Sequence, residues 1–193
     1  MTKDAFKDRE RGLEEEFFRK EDAKRLDKMR ETAKLQEIAS ALAEVLSVKN
    51  PELLSRTISL GITRDTAAAF LLAPLVQVAW AEGKVTEPER EAALRFARSR
   101  GVEKGSPAEA QLLSWLQARP AQAVFDTAIE VIKSGLAEFP QKEREDRIAR
   151  IVQACREVSE ASGGIAKALG VGSGVSSQEQ SVLDVVSAAL LNA

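Results

Sequence analysis

Along most of this chain apolar residues recur every three or four positions, and glycine, proline and Ser/Thr-x-x-Glu signals cut the pattern into helices. Leu35, Ile38, Ala39, Leu42, Val45 and Leu46 form one amphipathic stripe. Asn50-Pro51-Glu52 then supplies an N-cap and a proline at the first helical position. The short helix it opens carries Leu53, Leu54, Thr57 and Ile58 and ends at Gly61. From Thr63 or Asp65 a helix follows that is apolar nearly all round, from Ala67 through Phe70, Leu75 and Val78 to Trp80. A helix of that kind belongs at the centre of a bundle. Pro74 inside it predicts a kink or a break, and Gly83 stops it.

Three Ser/Thr-x-x-Glu sequences mark later helix starts: Thr86 to Glu89, Ser106 to Glu109 and Ser176 to Glu179. In such a capping box the hydroxyl and the carboxylate satisfy each other's orphan amides. The helices they open carry Ala92, Ala93 and Phe96; then Leu112, Trp115 and Leu116; and, last, Val182, Val186 and Leu190. Between the second and third boxes, one apolar helix follows Pro120 and a longer one follows Pro140 to about Ala161. Residues 162–174 hold five of the eleven glycines and read as a long loop. No alternating run with turn signals suggests a strand. The expectation is all-α: a helical bundle over 65–193, a small helical hairpin over 35–64, and a charged arm over 1–34.

The arm changes the picture most. Eleven of its residues are basic and ten acidic, and Glu15–Arg19, Glu16–Lys20 and Glu21–Arg25 are acid-then-base pairs at i,i+4. Each such pair adds about 0.2–0.5 kcal/mol to an exposed helix. Phe6, Leu13, Phe17, Phe18, Leu26 and Met29 are too few to bury it, which leaves a solvated helix or one that docks on a protein partner, with Phe6, Leu13, Phe17 and Phe18 as the candidate contacts. The run Phe6-Lys-Asp-Arg-Glu-Arg-Gly-Leu-Glu-Glu-Glu-Phe17 resembles the N-terminal segment of bacterial ATPase-inhibitor zeta-type proteins. That resemblance implies a helix that binds the F1 ATPase.

Composition mainly excludes. There is no histidine, so Ser-His-Asp and Cys-His catalysis cannot be assembled and zinc loses a main ligand. Neither a phosphate loop nor a Gly-x-Gly-x-x-Gly turn occurs. Cys155 lies among Ile148, Ile151 and Val152 at helical spacing, the setting of a buried, inert thiol. The expectation is therefore a protein without enzymatic activity. A net charge of −2 gives no general attraction to nucleic acid or anionic membranes. The charged N-terminus, the lone cysteine and the lack of 18 consecutive apolar residues point to a cytoplasmic protein without membrane insertion.

The helix junctions repeat. Val78-Ala-Trp-Ala-Glu-Gly-Lys-Val-Thr-Glu-Pro-Glu-Arg90 is matched by Val158-Ser-Glu-Ala-Ser-Gly-Gly, resumed after an insertion at Val175-Ser-Ser-Gln-Glu-Gln180. Each copy reads apolar helix, small acidic turn, valine, hydroxyl cap, acidic first turn, apolar helix. This layout over 65–193 resembles the tellurite-resistance TerB-like family of bacterial helical domains. The resemblance implies a compact bundle of about seven helices built on two helix–turn–helix units, an association with stress responses or membrane-linked complexes, and a divalent-cation site in the two turns. Carried onto this chain, Glu82, Glu87 and Glu89 stand in the first unit and Glu160 and Glu179 in the second. Both turns lack the family's Asp-Gly pair.

Clustered carboxylates suit hard cations such as Ca²⁺ or Mg²⁺. Acids in a first helical turn also complement the helix dipole, so capping alone accounts for Glu87, Glu89 and Glu179. Trp80 and Trp115 read as core residues rather than a ligand-stacking pair. Arg95, Arg98, Arg100 and Lys104 gather near one helix end, where they complement its dipole.

Overall fold

The computed structural model describes the backbone of residues 3–162 and 175–191 and the side chains of 18–161 and 175–191. Every regular element among these residues is helical. The order is α1 (Lys3–Leu46), α2 (Pro51–Ser59), a 3-10 turn (Arg64–Thr66), α3 (Ala67–Phe70), α4 (Ala73–Ala79), α5 (Glu87–Ser99), α6 (Pro107–Gln117), α7 (Gln122–Leu136), α8 (Gln141–Ser162) and α9 (Ser177–Leu191). These are nine α-helices among the described residues, where the family resemblance implies about seven over 65–193.

The chain forms two compact units, 1–40 and 41–193. The expected boundary at 34/35 is absent, because α1 runs unbroken for 44 residues. From Leu13 to Asn50 there is neither glycine nor proline, so nothing interrupts the hydrogen-bond ladder. The first unit is thus helix alone. Among its described side chains Lys24 pairs with Glu21 at 3.3 Å and Arg30 with Asp27 at 3.4 Å, so Glu21 takes the i+3 lysine where Arg25 was expected.

In the second unit α1 ends at Ser47, which adopts the left-handed backbone (φ 53°) that usually selects glycine. Asn50 caps α2, accepting from the amides of Glu52 (2.9 Å) and Leu53 (3.3 Å). Arg56 on α2 then pairs with Glu130 on α7.

The apolar helix expected over 67–80, with a kink or break at Pro74, is divided into α3 and α4 by a turn at Leu71-Leu72. Pro74 sits in the first turn of α4, where its missing N–H breaks no ladder bond. Burial holds this interrupted stretch in place. Ala67, Phe70, Ala73, Leu75, Val76, Val78 and Ala79 are at most 1% exposed, and α4 packs against α5, α6, α7, α8 and α9. Phe125 of α7, with Leu112 and Leu116 of α6, completes the same core. Ile132, Leu136, Ile148, Val186 and Leu190 form a smaller cluster between α7, α8 and α9.

Candidate functional site: two buried capping-box carboxyls

The first corner joins α4 to α5. Gly83 takes a positive φ of 78° after Trp80 closes the last turn of α4, and Val85 packs partly buried against the core. Thr86 caps α5 with a complete capping box. Glu89 Oε2 accepts from the Thr86 amide at 2.6 Å and from its hydroxyl at 2.7 Å, while the Glu89 amide reaches Thr86 Oγ1 at 3.5 Å. The last part of the second corner repeats this. Val175 packs against the core, Glu179 Oε2 accepts from the Ser176 amide at 2.7 Å, and the Glu179 amide donates to Ser176 Oγ at 3.2 Å. The glycine-rich run 163–174 between its two halves lies outside the described residues.

Capping boxes normally sit at the surface. These two are folded inward: Glu89 is 3% exposed and Glu179 1%. Their carboxyl groups face each other, and Glu179 Oε1 is buried with no hydrogen-bond partner. Burial pushes the Glu89 carboxyl above its ordinary 4.5; its bonds from Thr86 oppose that, and the neighbouring Glu179 carboxyl adds to it. Arg90, next in the chain, pairs with the exposed Glu87 at 3.3 Å. A proton on Glu89 would remove the repulsion between two buried anions.

The Ser106-to-Glu109 sequence, where the carboxylate turns to the Gly105 amide instead of the Ser106 amide, shows what a cation changes. Glu109 is also buried, yet it accepts from the Gly105 amide at 2.7 Å and from Arg98 at 2.8 and 3.2 Å. The Gly105 amide, with Arg98, holds its carboxyl below the ordinary range. The same three-residue spacing gives opposite charge behaviour according to what faces it.

Of the five acids assigned to a cation by family resemblance, Glu89 and Glu179 are therefore brought together. Glu82 is exposed at the turn, Glu87 is exposed and paired with Arg90, and Glu160 lies half-buried near the end of α8. Among the described residues no three such side chains gather as a metal-ligand set. Trp80 donates its indole N–H to the Trp115 carbonyl at 2.8 Å, and Trp115 is buried, so both indoles are committed to the core. In the basic group Arg98 pairs with Glu109, Arg95 lies 3.8 Å from Glu91, and Arg100 covers the Phe96 ring at 5.0 Å. Phe18 is exposed on α1, while the side chains of Phe6, Leu13 and Phe17 lie outside the described set.

Cys155 is fully buried in α8, and desolvation raises its thiol to about 12. Its reaction with an aromatic disulfide reagent at pH 8 is expected to be absent in the folded protein and stoichiometric in denaturant. Rapid native reaction would contradict the packing of α8. No helix among the described residues is long and apolar enough to cross a membrane. Neither a family model, a curated protein nor a solved structure matches the chain.

Proposed function

We propose that this protein is a non-enzymatic, TerB-like helical interaction module whose long N-terminal helix binds a protein partner. The observation that carries the reading is on α1, where Phe18, Leu26 and Met29 are 63%, 53% and 69% exposed. They stand at i, i+8 and i+11, offsets that keep one face of an α-helix. Charged side chains flank them on both sides. Such a face suits insertion of the helix into a partner's apolar groove, with the flanking charges setting register. Replacing Phe18, Leu26 and Met29 together by serine is expected to leave the melting temperature within about 2 °C and to abolish capture of the partner by the full chain. An unchanged set of captured proteins would overturn the reading.

A second reading, a regulatory domain that binds a divalent cation, is favoured by one atom. Glu179 Oε1 lies buried, unpartnered and beside a second carboxyl, a position that a cation would satisfy as well as a proton. Calorimetry with Ca²⁺, Mg²⁺ and Mn²⁺ separates the two. Heat that disappears in Glu89→Gln supports the cation, and no heat at millimolar metal ends this reading.

A further inference from the structure

A second feature of the 41–193 unit lies away from the carboxyl pair. A cleft of about 410 Å³ opens between the end of α1 and helices α3, α4, α5, α7 and α8, within the roughly 300–1,000 Å³ range of small-molecule sites. Its walls are apolar: Leu71, Leu75, Val131, Leu136, Phe139 and Ile151 line it, and of these Leu71, Phe139 and Ile151 remain half-exposed. Core residues normally close over one another at crystal-like density, so an unfilled apolar cleft of this size is a departure to be explained.

The polar groups at this cleft are of one sign. Arg100, Arg147 and Arg150 line it and no acidic residue does. Arg147 is held by Glu143 at 2.8 Å and lies over the Phe139 ring at 3.8 Å. Arg100 lies over Phe96, and neither Arg100 nor Arg150 forms an ion pair among the described residues. Two uncommitted guanidinium groups therefore stand beside an apolar slot. Ser47, held in the left-handed region at φ 53°, lines it too. Strain of this kind concentrates where a surface is shaped for a ligand.

From this arrangement we infer that the cleft binds a single-chain amphiphilic anion, its alkyl chain along the apolar walls and its oxyanion head against Arg100 and Arg150. Guanidinium recognises carboxylate and phosphate heads alike through paired N–H donors. A fatty acid and an alkyl phosphate share this chemistry and are separated by experiment. The alkyl chain supplies affinity by burial, at about a fourfold gain per methylene enclosed.

The test is titration calorimetry on the full chain with decanoate, dodecanoate, tetradecanoate, dodecyl phosphate and dodecan-1-ol, each below its micelle-forming concentration. Binding is expected to tighten about fourfold per methylene until the cleft is filled, and dodecan-1-ol is expected to bind at least tenfold more weakly than dodecanoate. The stronger of dodecanoate and dodecyl phosphate identifies the head group. Ala68 lines the cleft but is exposed, so Ala68→Trp fills the mouth without entering the core and is expected to cut affinity at least tenfold. The double variant Arg100→Gln/Arg150→Gln, at two exposed positions, is expected to lose dodecanoate affinity to the same extent and to leave dodecan-1-ol unchanged. Affinity independent of chain length, equal binding of alcohol and acid, or undiminished dodecanoate binding by either variant would overturn the inference.

Discussion

Glu89→Ala is expected to lower the unfolding free energy by about 2–4 kcal/mol at pH 7, whereas Glu89→Gln is expected to leave it unchanged or raise it by about 1 kcal/mol. The alanine variant removes the acceptor for two short bonds from Thr86, at 2.6 and 2.7 Å, and strands that amide and hydroxyl at the start of α5. Hydrogen bonds to a charged group contribute about 1.5–3 kcal/mol each, and relief of the repulsion from Glu179 offsets part of their loss. Glutamine retains an oxygen for Thr86 and presents an amide N–H toward Glu179, whose Oε1 otherwise has no partner. It reproduces the protonated acid without the proton. Chemical denaturation of the three proteins at pH 7 checks both values, and equal losses in alanine and glutamine would show that the two carboxyls do not meet.

Phe70→Ala is expected to cost about 3–5 kcal/mol, a third or more of the stability of a typical domain. Phe70 is fully buried on α3, a helix of four residues, followed at once by the Leu71-Leu72 turn. An element that short has no stability of its own. Its position depends on side-chain burial against the core, and truncating Phe70 removes the largest contribution on α3 and leaves a cavity. The urea midpoint should fall with little change in slope, since the same surface is exposed on unfolding. A loss below about 1 kcal/mol would mean that the central stretch from α3 to α4 is not held by packing.

The helix starts were legible because capping chemistry is local: Asn50, Thr86, Ser106 and Ser176 each act on amides two or three residues ahead. The buried thiol and the inward tryptophans followed from periodicity in the same way. What a capping box does not encode is which way it faces. Glu89, Glu109 and Glu179 have the same spacing, and only the fold gives one of them an arginine and the other two each other. The continuity of α1 was hidden by the change from charged to amphipathic composition near residue 35, a change in surroundings that leaves the backbone untouched. The break before α4 was signalled by Pro74, but its place at Leu71-Leu72 was not, in an apolar run with no glycine to mark it. The cleft was beyond reach altogether, since its walls come from six helices and its three arginines are spaced along two distant parts of the chain.

The central claim is that the two corners meet at a carboxyl pair in which burial and the neighbouring Glu179 favour the protonated form of Glu89, and its most direct test is stability against pH for the natural chain and Glu89→Gln. A carboxyl whose folded value lies above its ordinary 4.5 favours folding below that value and loses the contribution as pH rises through the folded value. Glu109 and Glu130, held low by the Gly105 amide and by Arg56 respectively, act in the opposite sense below pH 4.5. They are present in both proteins and cancel in the difference. The stability of the natural chain relative to Glu89→Gln is therefore expected to fall as pH rises above 4.5 and to level off once Glu89 has ionised in the folded protein. A difference that stays flat as pH rises above 4.5, or that grows in favour of the natural chain, would contradict the account.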